Sequence, residues 1–132
     1  MASSPTKSRI CVVDDDLDVL SSLRFLLETE GFDVRTFRSG AAMLDAAATE
    51  QFDCFVIDFK MPNMTGITIA NHLRDRKVPA PIILITGYPD ENIWAKATVA
   101  GIDLVLLKPD AEENLASQIR AAVQRNVRTG LR

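Results

Sequence analysis

The chain has 132 residues and a formal net charge of −3, with 47% hydrophobic and 25% charged residues. That size suits one domain with a real core, and the balance excludes an extensively disordered chain or a strongly basic nucleic-acid binder. No apolar run approaches the roughly 18 residues that span a bilayer, and the polar start Met1–Ser8 lacks the apolar centre of a signal peptide. A cytoplasmic location is therefore expected, with neither membrane nor nucleic acid as a direct partner. Cys11 and Cys54 each sit inside an apolar run and read as small buried hydrophobes, not as a disulfide or a metal set.

Residues 1–8 read as a flexible leader. Arg9-Ile10-Cys11-Val12-Val13-Asp14 is an apolar run ending in carboxylate, followed by Asp15 and Asp16, and predicts a first strand. Leu20, Leu23 and Leu27 then carry helical spacing from Asp16 to about Glu30, with Asp16 placed to cap the helix and Gly31 to end it. Asp33-Val34-Arg35-Thr36-Phe37 alternates and predicts a half-exposed edge strand, and an alanine-rich helix with Ser39 as its cap should run to Glu50.

Cys54 to Ile57 is a short apolar run stopped by Asp58 and a Pro/Asn/Gly-rich connection, the pattern of a strand buried on both faces. A helix from Thr65 to about Lys77 follows, with Gly66, Ile69, Ala70 and Leu73 inward. Pro81 to Thr86 predicts another buried strand, Asp90 to about Ala100 a helix closed by Gly101, and Leu104 to Lys108 a last strand stopped by Pro109. Asp110 to about Arg125 predicts the final helix, with Leu115, Ile119 and Val123 inward and its acids at the start, as the helix dipole prefers.

Five strand–helix units in strict alternation predict an α/β fold: a doubly wound, five-stranded parallel sheet. The alternating second strand belongs at an edge, which favours the order 2-1-3-4-5 and leaves a crevice at the switch point, outside the strands' carboxyl ends. Asp14, Asp15 and Asp58 then converge, with Thr86 and Lys108 on the same edge. Three close carboxylates repel, and a hard divalent cation such as Mg²⁺ relieves that conflict with oxygen ligands alone. A carboxylate can also attack phosphorus to give an acyl phosphate, whose oxygens the ion, the Lys108 ammonium, the Thr86 hydroxyl and backbone N–H groups could receive.

Asp14-Asp15, the segment Asp58-Phe59-Lys60-Met61-Pro62-Asn63-Met64-Thr65-Gly66, Ile85-Thr86-Gly87 and Lys108-Pro109 together closely resemble the receiver domain of bacterial two-component response regulators, over residues 9 to about 126. The resemblance implies a flavodoxin-like receiver fold over 9–126 with a tail at 127–132, and a role in a two-component phosphorelay. It implies Asp58 as the phospho-acceptor, served by a sensor histidine kinase or a phosphotransfer protein. Mg²⁺ would be held by Asp14, Asp15, Asp58 and the backbone carbonyl of Lys60; Thr86 is implied as the switch hydroxyl, Lys108 as its partner lysine, and Lys108–Pro109 as a cis peptide. Chemistry of its own would be limited to Mg²⁺-dependent self-phosphorylation and self-dephosphorylation. Signal would leave through the fourth helix, fifth strand and fifth helix, to a downstream protein partner or a homodimer. With no helix-turn-helix or catalytic module in the sequence, output is expected through a partner or a further relay.

Three positions depart from the family pattern. Val105 stands where Tyr or Phe is usual, Asp110 where Phe is common after Lys-Pro, and Trp94 where the fourth helix carries a small residue. A valine has no ring to rotate, so a specialised output face is expected, with Trp94 either surface-packed or an interface anchor. Lys60 and Tyr88 border the site and are expected to tune phosphoryl lifetime. His72 reads as solvated, and Arg120, Arg125, Arg128 and Arg132 as a helix face and tail. Rival readings are a haloacid-dehalogenase-type phosphatase using Asp14, although Asp18 replaces the threonine its motif needs, and a flavodoxin-like cofactor binder. The three aspartates of the first loop would repel that cofactor's phosphate. A phosphorylation-independent interaction module with this fold is the third.

Overall fold

A computed structural model describes residues 7–87, 92–108 and 111–129. The elements alternate as expected: β1 Arg9–Val13, α1 Leu17–Thr29, β2 Asp33–Phe37, α2 Gly40–Ala47, β3 Cys54–Asp58, α3 Gly66–Asp75, β4 Ile82–Thr86, α4 Ile93–Val99, β5 Leu104–Leu107 and α5 Ala111–Thr129. All four strand pairings are parallel and the sheet order is β2-β1-β3-β4-β5. The expected cap Asp90, and Tyr88, Pro109 with its peptide bond to Lys108, Asp110 and Arg132, lie outside the described residues.

Each side of the sheet is covered. α1 and α5 bring Leu20, Leu23, Leu27, Leu115 and Ile119 against one face, where Cys54 and Val56 of β3 also point. The helices α2, α3 and α4 bring Met43, Leu44, Ile69, Leu73, Ile93 and Ala97 against the other, with Phe55 and Ile57. This double cover is why β3 and β4 are buried along their whole length while β2 alternates and β5 is half-buried. Cys11 and Cys54 are both free and fully buried, on opposite faces of the sheet, and burial pushes both thiols far above their usual range.

Helix starts follow side-chain chemistry. Asp16 accepts hydrogen bonds from the Asp18 and Val19 amides, Ser39 from Ala42 and Thr65 from Thr68. Helix ends depart from the sequence expectation where tertiary contacts intervene. α2 stops at Ala47, and beyond it Glu50 is held by Arg9 at 2.9 Å and Arg35 at 2.8 Å. α3 stops at Asp75 because Lys77 turns left-handed, φ 62°. α5 runs past Arg125 to Thr129, since no breaker precedes Gly130. Arg120 is an internal tie: its guanidinium donates to the Glu30 carboxylate at 2.6 Å and lies over the Phe32 ring. Among the described residues no helix is long and apolar enough to cross a membrane.

Candidate functional site

The strand register builds the site. Val13 of β1 pairs with Ile57 of β3, so the next residues, Asp14 and Asp58, emerge side by side at the carboxyl edge. On the other flank Thr86 ends β4, and the Lys108 amide donates to the Thr86 carbonyl at 2.9 Å. Asp14, Asp58 and Thr86 are the buried polar side chains among the described residues, at 4%, 7% and 2% exposure. Burying polar groups is unfavourable unless they are satisfied or used, and all three gather at one edge.

They line a pocket of about 480 Å³ together with Asp15, Lys60 and Lys108. Asp14, Asp15, Asp58, Lys60, Thr86 and Lys108 are therefore brought to one cleft. Carboxylate oxygens of Asp14, Asp15 and Asp58 lie within 4.8 Å of one another; Mg–O distances of about 2.1 Å put ligand oxygens roughly 3–4 Å apart, so a small closure suffices to hold a hard cation. Asp16 also lines the pocket, but its carboxylate is spent on capping α1.

The charges are unequal. Burial is the main cause that raises the Asp14 carboxyl to about 6, and the Asp58 and Asp15 charges add to it against the opposing Asp16 amide and Lys108. Burial also raises Asp58, opposed by the hydrogen bond from Lys108. That ammonium sits 3.1 Å from Asp58 Oδ1. Burial pulls Lys108 down, but the Asp58 contact and the charges of Asp14 and Asp15 prevail, and its pKa is raised. The cleft thus pairs the Asp58 carboxylate with the Lys108 ammonium beside a group of carboxylates that could hold a metal ion.

Close packing supports Asp58 from behind. A Cβ on Gly66 would meet Leu84 Cδ1 at 2.5 Å and the Asp58 carbonyl at 2.9 Å, so α3 starts where only glycine fits. The intervening loop turns through Asn63 at φ 72°, a conformation asparagine tolerates.

The family model for the response regulator receiver domain matches residues 10–120. The chain belongs to that family. It is 35% identical over 119 residues to the transcriptional regulatory protein FixJ of Bradyrhizobium diazoefficiens, covering 90% of this chain and 58% of that protein. It is 34% identical over 117 residues to the transcriptional regulatory protein KdpE of Mycobacterium tuberculosis, 89% of this chain and 51% of that one. The chain spans about half the length of the curated relatives it matches. Among solved structures, a CheY-like receiver domain protein from Methanospirillum hungatei superposes with TM-score 0.89 at 26% identity, over 95% of this chain and all of that one. The structure titled FixJ-N gives 0.82 at 31%, over 91% and 96%. A receiver domain is a signalling domain of two-component phosphorelays, and neither a haloacid-dehalogenase-type phosphatase nor a phosphorylation-independent interaction module is favoured beside it.

The departures noted in the sequence are visible in the fold. Val105 is half-buried against the α2–α4 core, and Trp94 stands 47% exposed on α4. His72 is exposed on α3. What sequence reasoning missed is the role of Arg74 and Asp103, whose partners are main-chain groups from two segments, Val78 to Ile82 and Gly101.

Proposed function

We propose that Asp58 accepts a phosphoryl group from a phosphohistidine of a sensor histidine kinase or a phosphotransfer protein. An Asp58 carboxylate oxygen attacks phosphorus in line, the phosphorus–nitrogen bond breaks, and its electron pair returns to the imidazole. Asp14, Asp15, Asp58 and the Lys60 main-chain carbonyl would hold Mg²⁺, which would supply the positive charge that lets two anions approach. Lys108, already on Asp58 Oδ1, transfers its contact to the phosphoryl oxygens, and the Thr86 hydroxyl donates to another. Attack by water on the same phosphorus releases inorganic phosphate and resets Asp58. Lys60, exposed at the pocket rim, and Tyr88 set the lifetime of that state.

Output leaves through the α4-β5-α5 face in the cytoplasm, to a downstream protein partner or a second copy. Val105 provides no rotating ring there, so Trp94 is the anchor a partner reads. The observation that carries this reading is the gathering of the buried polar side chains with Asp15 and Lys108 at one strand edge.

Intact mass after incubation with Mg²⁺ and acetyl phosphate tests it. One phosphoryl adduct that requires Mg²⁺ and disappears in Asp58→Asn is expected. An adduct retained in Asp58→Asn and lost in Asp14→Asn would assign the phosphatase reading instead. No adduct, either with acetyl phosphate or with a cognate phosphohistidine donor, would leave an interaction module.

A further inference from the structure

β5 reads Leu-Val-Leu-Leu, apolar at every position, and it is an edge strand with a single neighbour. Strand register is specified when a slip turns apolar side chains to water. A four-residue apolar strand carries little of that information. Yet its register decides where Lys108, the residue after the strand, emerges. One residue of slip moves Lys108 about 3.3 Å along the sheet, enough to undo a 3.1 Å contact with Asp58 unless the side chain re-extends.

What pins the strand lies at its other end. Asp103 precedes β5; its amide donates to the Ile82 carbonyl at 2.9 Å, and its carboxylate accepts from the Ile82 amide at 2.8 Å. That locks the residue before β5 onto the first residue of β4. The same carboxylate oxygen accepts from Arg74 Nη2 at 3.1 Å. Arg74, three-quarters buried, spends its remaining donors on main-chain carbonyls: Val78 at 2.6 Å, Ala80 at 2.9 Å, and Gly101 at 2.7 and 3.0 Å. One guanidinium thereby joins the end of α3, the approach to β4 and the turn into β5. A planar five-donor fork suits such a task, and a lysine ammonium does not.

We propose that Arg74, acting through Asp103, is a positioning residue for the phosphoryl site: it sets β5 in the register that delivers Lys108 to Asp58, from about 16 Å away along the strand. The proposal rests on the phosphoryl-transfer reading above for its effect on rate, but its structural half stands without it.

The test uses Arg74→Met and the milder Arg74→Lys, each first shown to be folded by circular dichroism. Amide hydrogen exchange by NMR reports the register directly, since the Lys108 amide donates to Thr86 at the far end of the ladder. In Arg74→Met, exchange at Lys108 should accelerate at least tenfold while the amides of β3 keep wild-type protection, with Arg74→Lys intermediate. Labelling of Asp58 by acetyl phosphate should slow several-fold, with Mg²⁺ affinity unchanged, because no Mg²⁺ ligand lies on β5. In a Lys108→Ala background the Arg74 substitution should cause no further slowing.

Unchanged exchange at Lys108, or equal acceleration across the whole sheet, would overturn the proposal. So would slowing that multiplies in the double variant, which a residue acting only on general stability would produce. Should the wild type take no phosphoryl group, the functional reading fails and the exchange pattern alone decides the register claim.

Discussion

Replacing Asp14 by asparagine separates the cost of the acidic cluster from its use. Asp14 is 4% exposed with a carboxyl raised to about 6, against 3.8 for an unburied aspartate. In metal-free protein the folded state therefore binds the proton more tightly than the unfolded chain, and stability falls as pH rises from about 4 to about 6. At about 1.4 kcal/mol per pH unit, the ionised group destabilises the fold by about 3 kcal/mol above pH 6. Asparagine keeps the oxygen that accepts from the Asp16 amide and removes the charge. In EDTA at pH 7, urea denaturation should find Asp14→Asn more stable by about 2–3 kcal/mol, with the advantage shrinking toward zero at pH 4. Saturating Mg²⁺ should reverse the order, because the variant has lost a ligand. An asparagine variant no more stable than wild type at pH 7, with the same slope against pH, would refute the reasoning.

Lys108→Ala should lower the rate of acetyl phosphate labelling about 10²-fold, the usual loss for one positioned donor, while Mg²⁺ affinity, followed by fluorescence of the single tryptophan, is retained or improved. Gly101→Ala forces a non-glycine residue to φ +81° and sets its Cβ 2.8 Å from Arg74 Cγ; urea denaturation should show a loss of about 1–2 kcal/mol or more. Val105→Tyr puts a ring where a half-buried valine packs against the α2–α4 core. It should cost about 1–3 kcal/mol of stability and leave the Asp58 adduct by intact mass unchanged, because Val105 does not line the pocket.

Much of this molecule was legible along the chain because its signals are local. An apolar run of four residues stopped by a carboxylate, hydroxyl or amine marks a buried strand and its polar end. Asp16, Ser39 and Thr65 mark helix starts because capping bonds span only two or three residues. The edge position of β2 followed from its alternation, and the convergence of Asp14, Asp58, Thr86 and Lys108 followed from strand order alone.

Other properties depend on distances between segments far apart in sequence, and these only the tertiary structure decided. Asp14 and Asp15 are adjacent in the chain, yet one is buried and the other exposed, so the raised pKa of Asp14 belongs to the packing around it and not to its residue type. Arg74, Arg120 and Glu50 look like ordinary surface charges in the sequence. Their long side chains find partners fixed by the fold: Gly101 and Asp103, Glu30, and Arg9 with Arg35. Flexible side chains ending in charge have no preferred partner until the backbone has placed one within reach. Apolar periodicity therefore declares the sheet and its active edge in advance, and the ties that hold that edge in register exist only once the sheet has formed.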